Sequence, residues 1–313
     1  MRTIISVTPM ACWFSVIALV GCRTAKTSPA VIVPDEPPVE LEPVAHMTFE
    51  PIRESSGLVR SRQWPDVFWT HNDSGDESRI FAIRRDGSVI HPEGRSLGDY
   101  KGIEIRGAVN IDWEDIAADD EGNLIIAACG NNANTRRDLA LYIVPEPWPE
   151  HTTVTRVTRT IPFYFPDQPP IPGSPRNFDC EAVFWARGRI YLLTKHRSDR
   201  KTKLYRLDEA RAETRVPLTL LGEFDIGGMV TAADASPDGR RLAVLTYDAV
   251  WLFELAGRGD DYFGGAIRRL PIKAKQCEAL CFDGETLRIG NEQRELFVIP
   301  IDRLRVVRAA GGK

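Results

Sequence analysis

Five short stretches decide the fold: Ile80-Phe81-Ala82-Ile83, Leu141-Tyr142-Ile143-Val144, Leu204-Tyr205-Arg206-Leu207, Leu252-Phe253-Glu254-Leu255 and Leu296-Phe297-Val298-Ile299. Each reads aliphatic, aromatic, any residue, aliphatic. Each follows another apolar run: Val67-Phe68-Trp69, Leu124-Ile125-Ile126, Ile190-Tyr191-Leu192-Leu193, Leu242-Ala243-Val244-Leu245 and Leu287-Arg288-Ile289. A further run precedes each pair, opened by an acid at Glu54, Glu114, Glu181 and Glu278. In the remaining copy, Thr231-Ala232-Ala233-Asp234, an alanine stands near the glutamate position and the acid is displaced by about one residue.

Fourth runs are visible in Thr160-Ile161-Pro162-Phe163-Tyr164, Glu223-Phe224-Asp225-Ile226 and Arg269-Leu270-Pro271-Ile272. Turns such as Asp86-Gly87-Ser88, Asp238-Gly239-Arg240 and Asp283-Gly284-Glu285 separate the runs, and no helical period interrupts them. Many short strands with glycine turns indicate a sandwich, a barrel or a propeller. A four-stranded unit recurring every roughly 45 to 60 residues selects the propeller. The sequence therefore predicts an all-β chain, a single β-propeller of five four-stranded blades, or six if Gly102 to Asn110 forms a degenerate extra blade. The last copy has no fourth strand of its own, and Met47-Thr48-Phe49-Glu50-Pro51-Ile52 is expected to supply it. Such an N-terminal strand closes the ring and protects its edges.

The chain of 313 residues is 43% hydrophobic and 27% charged, enough to bury a large core. Its net charge of −4 and pI near 5.8 give no basic footprint for nucleic acid. Met1-Arg2, the apolar stretch Ile4 to Val20, and Leu19-Val20-Gly21-Cys22 read as a secretory signal. The last four residues resemble the lipobox of bacterial lipoproteins, which implies diacylation of Cys22 and, with Arg23 rather than Asp following, delivery to the outer membrane. Lipid chains contribute about 0.8 kcal/mol per buried methylene, so a multiply acylated Cys22 would anchor stably. The expected organisation is a signal peptide over 1–21, a lipidated Cys22 with a Pro- and Glu-rich spacer over 22–46, a propeller over 47–304 and a tail over 305–313. The address that follows is the cell envelope, facing the periplasm or the exterior.

In a propeller the first strand of each blade lines the channel and the second runs back antiparallel. The start of one and the end of the other therefore emerge on one face. The second-strand ends are polar: His71-Asn72-Asp73-Ser74, Gly130-Asn131-Asn132, Lys195-His196-Arg197, Tyr247-Asp248 and Asn291-Glu292-Gln293. Turn chemistry explains some of these residues. It explains the glutamates poorly, because they open apolar strands. Crowded carboxylates repel one another unless a cation compensates, and calcium takes six to eight oxygen ligands. Glu54, Glu114, Asp115, Glu181 and Glu278 are thus expected to hold calcium in or above the channel, the alternatives being waters or salt bridges from Lys195 and Arg197. His71, Asn72, Asp73, Asn131, Asn132, Lys195, His196, Arg197 and Asn291 are expected to contact a ligand, either a protein or a small anion.

The stretches Glu54-Ser55-Ser56-Gly57-Leu58, Asn72-Asp73-Ser74-Gly75, Asp112-Trp113-Glu114-Asp115-Ile116 and Gly130-Asn131-Asn132 resemble those of a group of bacterial secreted and lipoprotein β-propellers. That group is loosely related to the phytase esterase-like and SdiA-regulated propellers and has no agreed activity. The resemblance covers most of residues 50 to 300, continuing through Cys180-Glu181-Ala182 and Ser236-Pro237-Asp238-Gly239. The acidic inner strands are also similar, in architecture alone, to the five-bladed calcium-activated nucleotidases. Relatives tend to carry Asp where Ala128 or Cys129 stands, a departure that weakens a metal site near blade two.

Two functions fit: a binding or scaffolding propeller, or a calcium-dependent phosphoesterase. In the second, Glu114, Asp115 and Glu181 would act as ligands or bases, with Lys195, His196 and Arg197 neutralising phosphate. No Gly-x-Ser-x-Gly elbow exists, and Ser55, Ser56 and Ser74 near His71 and Asp73 read as turn chemistry. Cys129, Cys180, Cys277 and Cys281 are even in number, so disulfides are permitted in an oxidising compartment; buried thiols explain them equally well. Pro166 to Pro175 reads as a long connection between blades two and three.

Overall fold

The computed structural model describes residues 26–27, 31–170, 175–209 and 214–309. The expected signal segment, residues 1–21, and Cys22 lie outside them. The described chain is a ring of five antiparallel sheets without an α-helix. From axis to rim, blade one comprises Ser55–Arg60, Phe68–Asn72, Arg79–Ile83 and Ile103–Arg106; blade two Asp115–Ala118, Asn123–Ala128, Ala140–Pro145 and Arg159–Tyr164. Blade three comprises Asp179–Ala186, Arg189–Lys195, Lys201–Leu207 and Thr219–Asp225; blade four Val230–Ala235, Arg241–Thr246, Ala249–Glu254 and Ala266–Lys273. Blade five contributes Cys277–Asp283, Thr286–Asn291 and Glu295–Pro300. Ile103–Arg106 is the rim strand of blade one, so no sixth blade exists there.

The aromatics of the third strands explain why the repeat was readable. Phe81, Tyr205, Phe253 and Phe297 are buried, each in an apolar cluster with members from adjacent blades. Phe224, Trp251, Phe253 and Phe263 form one such nest, with ring centroids 5.1–5.6 Å apart around Phe224. Removing a ring of this kind costs about 3–5 kcal/mol by lost transfer energy and residual cavity.

The N-terminal segment is more than a spacer. Lys26–Thr27 pair in parallel with Gly222–Glu223 on the rim of blade three, and Val39–Glu40 with Ile272–Lys273 on the rim of blade four. Ala45–His46 then complete blade five, antiparallel to Glu295–Leu296. The closing strand thus lies just before the expected Met47–Ile52; Met47 and Ile52 are buried in the core of blade one. At the other end, Arg305–Arg308 pair with Ile267–Arg269 and so belong to blade four rather than to a free tail. In the Pro-rich connection, Asp167 is held by Lys203 and the Tyr205 hydroxyl, and Gln168 by Asn134.

The face opposite the second-strand ends is tied from blade to blade. Asp283 pairs with Arg60 at 3.7 Å, Arg62 pairs with Asp120, Asp120 accepts the Trp185 indole N–H at 2.8 Å, and Arg241 meets Glu285 at 2.8 Å. Its charges have partners across the blade boundaries.

Closure predicts a sharp truncation effect. Val44 N–H donates to Leu296 O and Met47 N–H to Arg294 O, each at 2.8 Å, on either side of the Ala45–His46 pairing. A chain beginning at residue 47 should lose about 2 kcal/mol relative to one beginning at residue 44, measured by chemical denaturation; equal stabilities would show that the ring closes without this strand.

Candidate functional site: an acidic channel mouth

A β-bulge at the head of the inner strands sets the site. Cys180 pairs with Thr194 and Ala182 with Leu193, leaving Glu181 unpaired between them. Thr231 and Glu278 are left out in the same way in blades four and five. In blade one the extra residues are Ser56 and Gly57. Glu114 occupies the matching place in blade two, its N–H donating to Ala127 O at 3.0 Å. A bulge re-aims the side chain it carries, here into the channel mouth. Gly57 adopts φ +110, and a Cβ on it would come within 2.8 Å of His71 Nε2, so this bulge needs glycine.

Register corrects the reading of the acids. The unpaired positions are Ser56, Glu114, Glu181, Thr231 and Glu278, so Glu54 is not the counterpart of the other glutamates. Glu54 lies two residues earlier, exposed, level with Asp112, Asp179, Met229 and Gln276. Asp115 leaves the mouth altogether. Its carboxylate accepts the N–H of Ile116 at 2.8 Å, of Val183 at 3.0 Å and of Ala233 at 3.4 Å, tying blades two, three and four across the channel. Asp234 does the same between blades four and five, accepting from Ala235 at 2.8 Å and Phe282 at 2.9 Å.

The mouth itself gathers two carboxylate groups that share one residue. Oxygens of Asp73, Asp112 and Glu114 lie within 4.8 Å of one another, and so do oxygens of Glu114, Asp179 and Glu181. Gly130 makes room for them: a Cβ there would overlap Glu114 Oε1 and the Asp112 carboxyl. Around this group runs a polar chain. Lys195 Nζ lies 3.0 Å from Glu181 Oε2 and donates to the Tyr247 hydroxyl at 3.0 Å, and Tyr247 donates to Glu278 at 2.8 Å. Arg197 donates from Nε to Asp179 at 2.8 Å and also reaches Asn132.

The acids named outnumber Lys195 and Arg197, and their protonation shows the strain. Burial, followed by the charges of Glu181, Asp179, Asp73 and Asp112, pushes the Glu114 carboxyl well above the usual range. Burial and then Asp179 do the same to Glu181 against the pull of Lys195. Asp112 rises to about 6 through burial and then Asp73 and Asp179. Glu292 rises to about 7 through burial and then Glu278. Burial alone would lower Lys195, but the neighbouring Glu181 carboxylate lifts it above the ordinary lysine value and keeps it charged.

Several expected ligand contacts are scaffold instead. Asn72 accepts the N–H groups of Arg53 and Glu54 and donates to Pro51 O, which shapes the turn. Asn131 donates its N–H to Asp179 at 2.6 Å and its side chain to Phe178 O, holding Asp179 in place. Asn291 binds Ala274 O and Glu295. His71 and His196 are buried away from the mouth, His71 edge-on to Trp113 and His196 on Asp199, and burial lowers both imidazoles. Ser56 donates to Glu114 O at 3.0 Å and serves the bulge. Asp73, Asn132, Lys195 and Arg197 do face the mouth. Asp179, Asp112, Tyr247 and Glu292 join them without having been singled out as ligands.

No protein-family model matches the chain, and no curated protein matches it in sequence. Among solved structures it is similar to a chain of the mitotic checkpoint complex at 13% identity and a TM-score of 0.37, covering 80% of this chain and 60% of that one. The chain thus spans less than two thirds of that structure's length. The class of protein is therefore defined by its own architecture: a five-bladed β-propeller with an acidic cluster at one end of its channel.

A pH dependence follows. A carboxyl whose folded value lies above its unfolded one stabilises the fold fully below the unfolded value and loses that contribution as pH rises through the folded value. Asp112, at about 6, and Asp234, lifted by burial to about 7, both behave so. Without divalent cation, the thermal midpoint should fall between pH 5 and pH 7.5 (roughly the span of these values), and Asp112→Asn should flatten that fall; a midpoint rising over the window contradicts the assignment.

Proposed function

We propose that the protein is a lipid-anchored, extracytoplasmic binding propeller of the bacterial secreted group, with a calcium ion held at the channel mouth. The observation that carries the calcium reading is Glu114: a buried carboxyl aimed into the mouth, ringed by Asp73, Asp112, Asp179 and Glu181, with no ion pair to a lysine or arginine among the described residues. The donor set is all oxygen, which suits a hard cation. Asp73, Asp112 and Glu114 would hold it, with Asp179 and Glu181 on the far side of Glu114. A bound cation supplies a positive centre that relieves the carboxylate repulsion and can attract an anionic group of a protein or small molecule.

Geometry favours binding over phosphoester hydrolysis. Lys195 and Arg197 are committed to Glu181, Tyr247 and Asp179, and His196 is turned away, so the trio that would grip phosphate is not assembled. For the address, the support is the lipobox-like Leu19-Val20-Gly21-Cys22. Lys26–Thr27 pairing on blade three leaves only a short length of chain between such an anchor and the rim. Expressed in a bacterium, the full chain should partition into detergent and its Cys22→Ser variant should not; equal partitioning removes the anchor.

The calcium reading is checked by thermal unfolding of residues 31–313 in chelator and in millimolar calcium. A ligand at 100 times its dissociation constant stabilises by about 2.7 kcal/mol. That gain should vanish in Glu114→Gln and in Gly130→Ala, whose methyl displaces the carboxylates, and persist in Glu285→Gln on the opposite face. A calcium effect that survives Glu114→Gln places the ion elsewhere.

A further inference from the structure

The four described cysteines divide into two kinds. Cys277 and Cys281 share the inner strand of blade five, but the bulge at Glu278 and the alternation of the strand send them to different cores. Cys277 packs with Leu280 and Ile289, whereas Cys281 packs with Leu58 and Phe68 of blade one. They face opposite sides of one sheet and cannot be joined. Cys129 and Cys180 come from neighbouring blades and enter the same core, beside Phe178 and Leu141. Cys129 Sγ donates to Cys180 O at 3.2 Å, which sets the Cys129 thiol against the backbone of Cys180 inside that shared core.

Their positions in the register give the pair its meaning. Cys129 follows the second strand of blade two and immediately precedes Gly130, the residue against which Glu114 and Asp112 lie. Cys180 is the second residue of the inner strand of blade three and immediately precedes Glu181. The thiols therefore adjoin the acid cluster along the chain, Cys129 beside Gly130 in blade two and Cys180 between Asp179 and Glu181 in blade three.

We propose that Cys129 and Cys180 are a dithiol–disulfide couple that staples blade two to blade three beside the carboxylates and sets their separation. The oxidant is a small-molecule or protein disulfide. One cysteine thiolate attacks it, forming a mixed disulfide and releasing one thiol; the second cysteine thiolate displaces the other thiol and forms the Sγ–Sγ bond. Both electrons reduce the incoming disulfide, and both protons end on the two thiols released. Because the pair is buried, exchange takes place before the blades close or during a local opening. The staple stands on its own geometry, while its effect on the mouth rests on the calcium reading above.

The test refolds the full chain in oxidised and in reduced glutathione, alkylates it in denaturant with N-ethylmaleimide, and maps peptides by mass spectrometry. In the oxidised sample the Cys129 and Cys180 peptides should be recovered joined, with Cys277 and Cys281 alkylated; reductant should return all to the alkylated form. Recovery of Cys129 and Cys180 alkylated from the oxidised sample, or joined to other cysteines, overturns the couple. Calcium titration of both samples should give severalfold different affinities, and Cys129→Ser should hold the reduced-state value in either buffer. Equal affinities overturn the coupling. Absence of calcium binding in both states sinks the calcium reading and leaves the cross-link to be judged by the peptide map.

Discussion

Blade five owns only three strands, and the ring exists because Ala45–His46 lend it a fourth from the opposite end of the chain. Sheet edges are exposed donors and acceptors that invite pairing, and closure satisfies this one internally. The same N-terminal segment covers the rims of blades three and four on its way. Once the ring is shut, the inner strands converge on the axis, and whatever their first residues carry is forced together. The crowding at the mouth is thus a consequence of closure, and the choice of acids for that crowded place needs its own explanation.

The two faces of the ring make different use of charge. On one, arginines and carboxylates of adjacent blades pair, as Arg60 does with Asp283 and Arg241 with Glu285. The exposed Arg241–Glu285 pair contributes little, about 0–1 kcal/mol, whereas the buried Asp283 carboxylate is met by Arg60, Arg85 and Arg288 together. On the other face Lys195 and Arg197 answer Glu181 and Asp179, while Glu114, Asp112 and Asp73 are left to one another. Burying uncompensated charge is costly, and burial with the neighbouring carboxylates raises both the Glu114 and the Asp112 carboxyl above the ordinary value. A structure that needed only stability would place apolar groups there. A site that exchanges protons for a cation has reason to keep the carboxyls.

Much of the fold was legible because propeller blades repeat: the third-strand aromatics, buried in four blades and partly buried at Tyr142, marked every blade, and the fourth strands at Thr160, Glu223 and Arg269 fell where the repeat placed them. The site was legible in part. Glu114 and Glu181 were conspicuous as acids opening apolar strands and fall in the acid cluster, whereas Glu278, read the same way, accepts from Tyr247 and is in neither carboxylate group. Asp115 was misplaced because a bulge shifts the side-chain parity by one residue, which a period-two reading cannot register, and Glu54 because the irregularity of blade one spans two residues, Ser56 and Gly57, and moves the matching position to Ser56. Asp179 was passed over although Asp112-Trp113-Glu114 and Asp179-Cys180-Glu181 share the spacing Asp-x-Glu in successive blades. That repeated spacing was the available signal. Asn72, Asn131 and Asn291 looked like ligand contacts because buried amides that shape turns carry the same residue type as amides that grip ligands.

The central claim is that the carboxylates around Glu114 exist to hold a cation. Anomalous diffraction from crystals soaked in calcium tests it most directly. The account predicts a peak at calcium–oxygen distances of about 2.3–2.6 Å from Glu114 together with Asp73 or Asp112. A fully occupied peak elsewhere, or a channel mouth holding only water at saturating calcium, would contradict it.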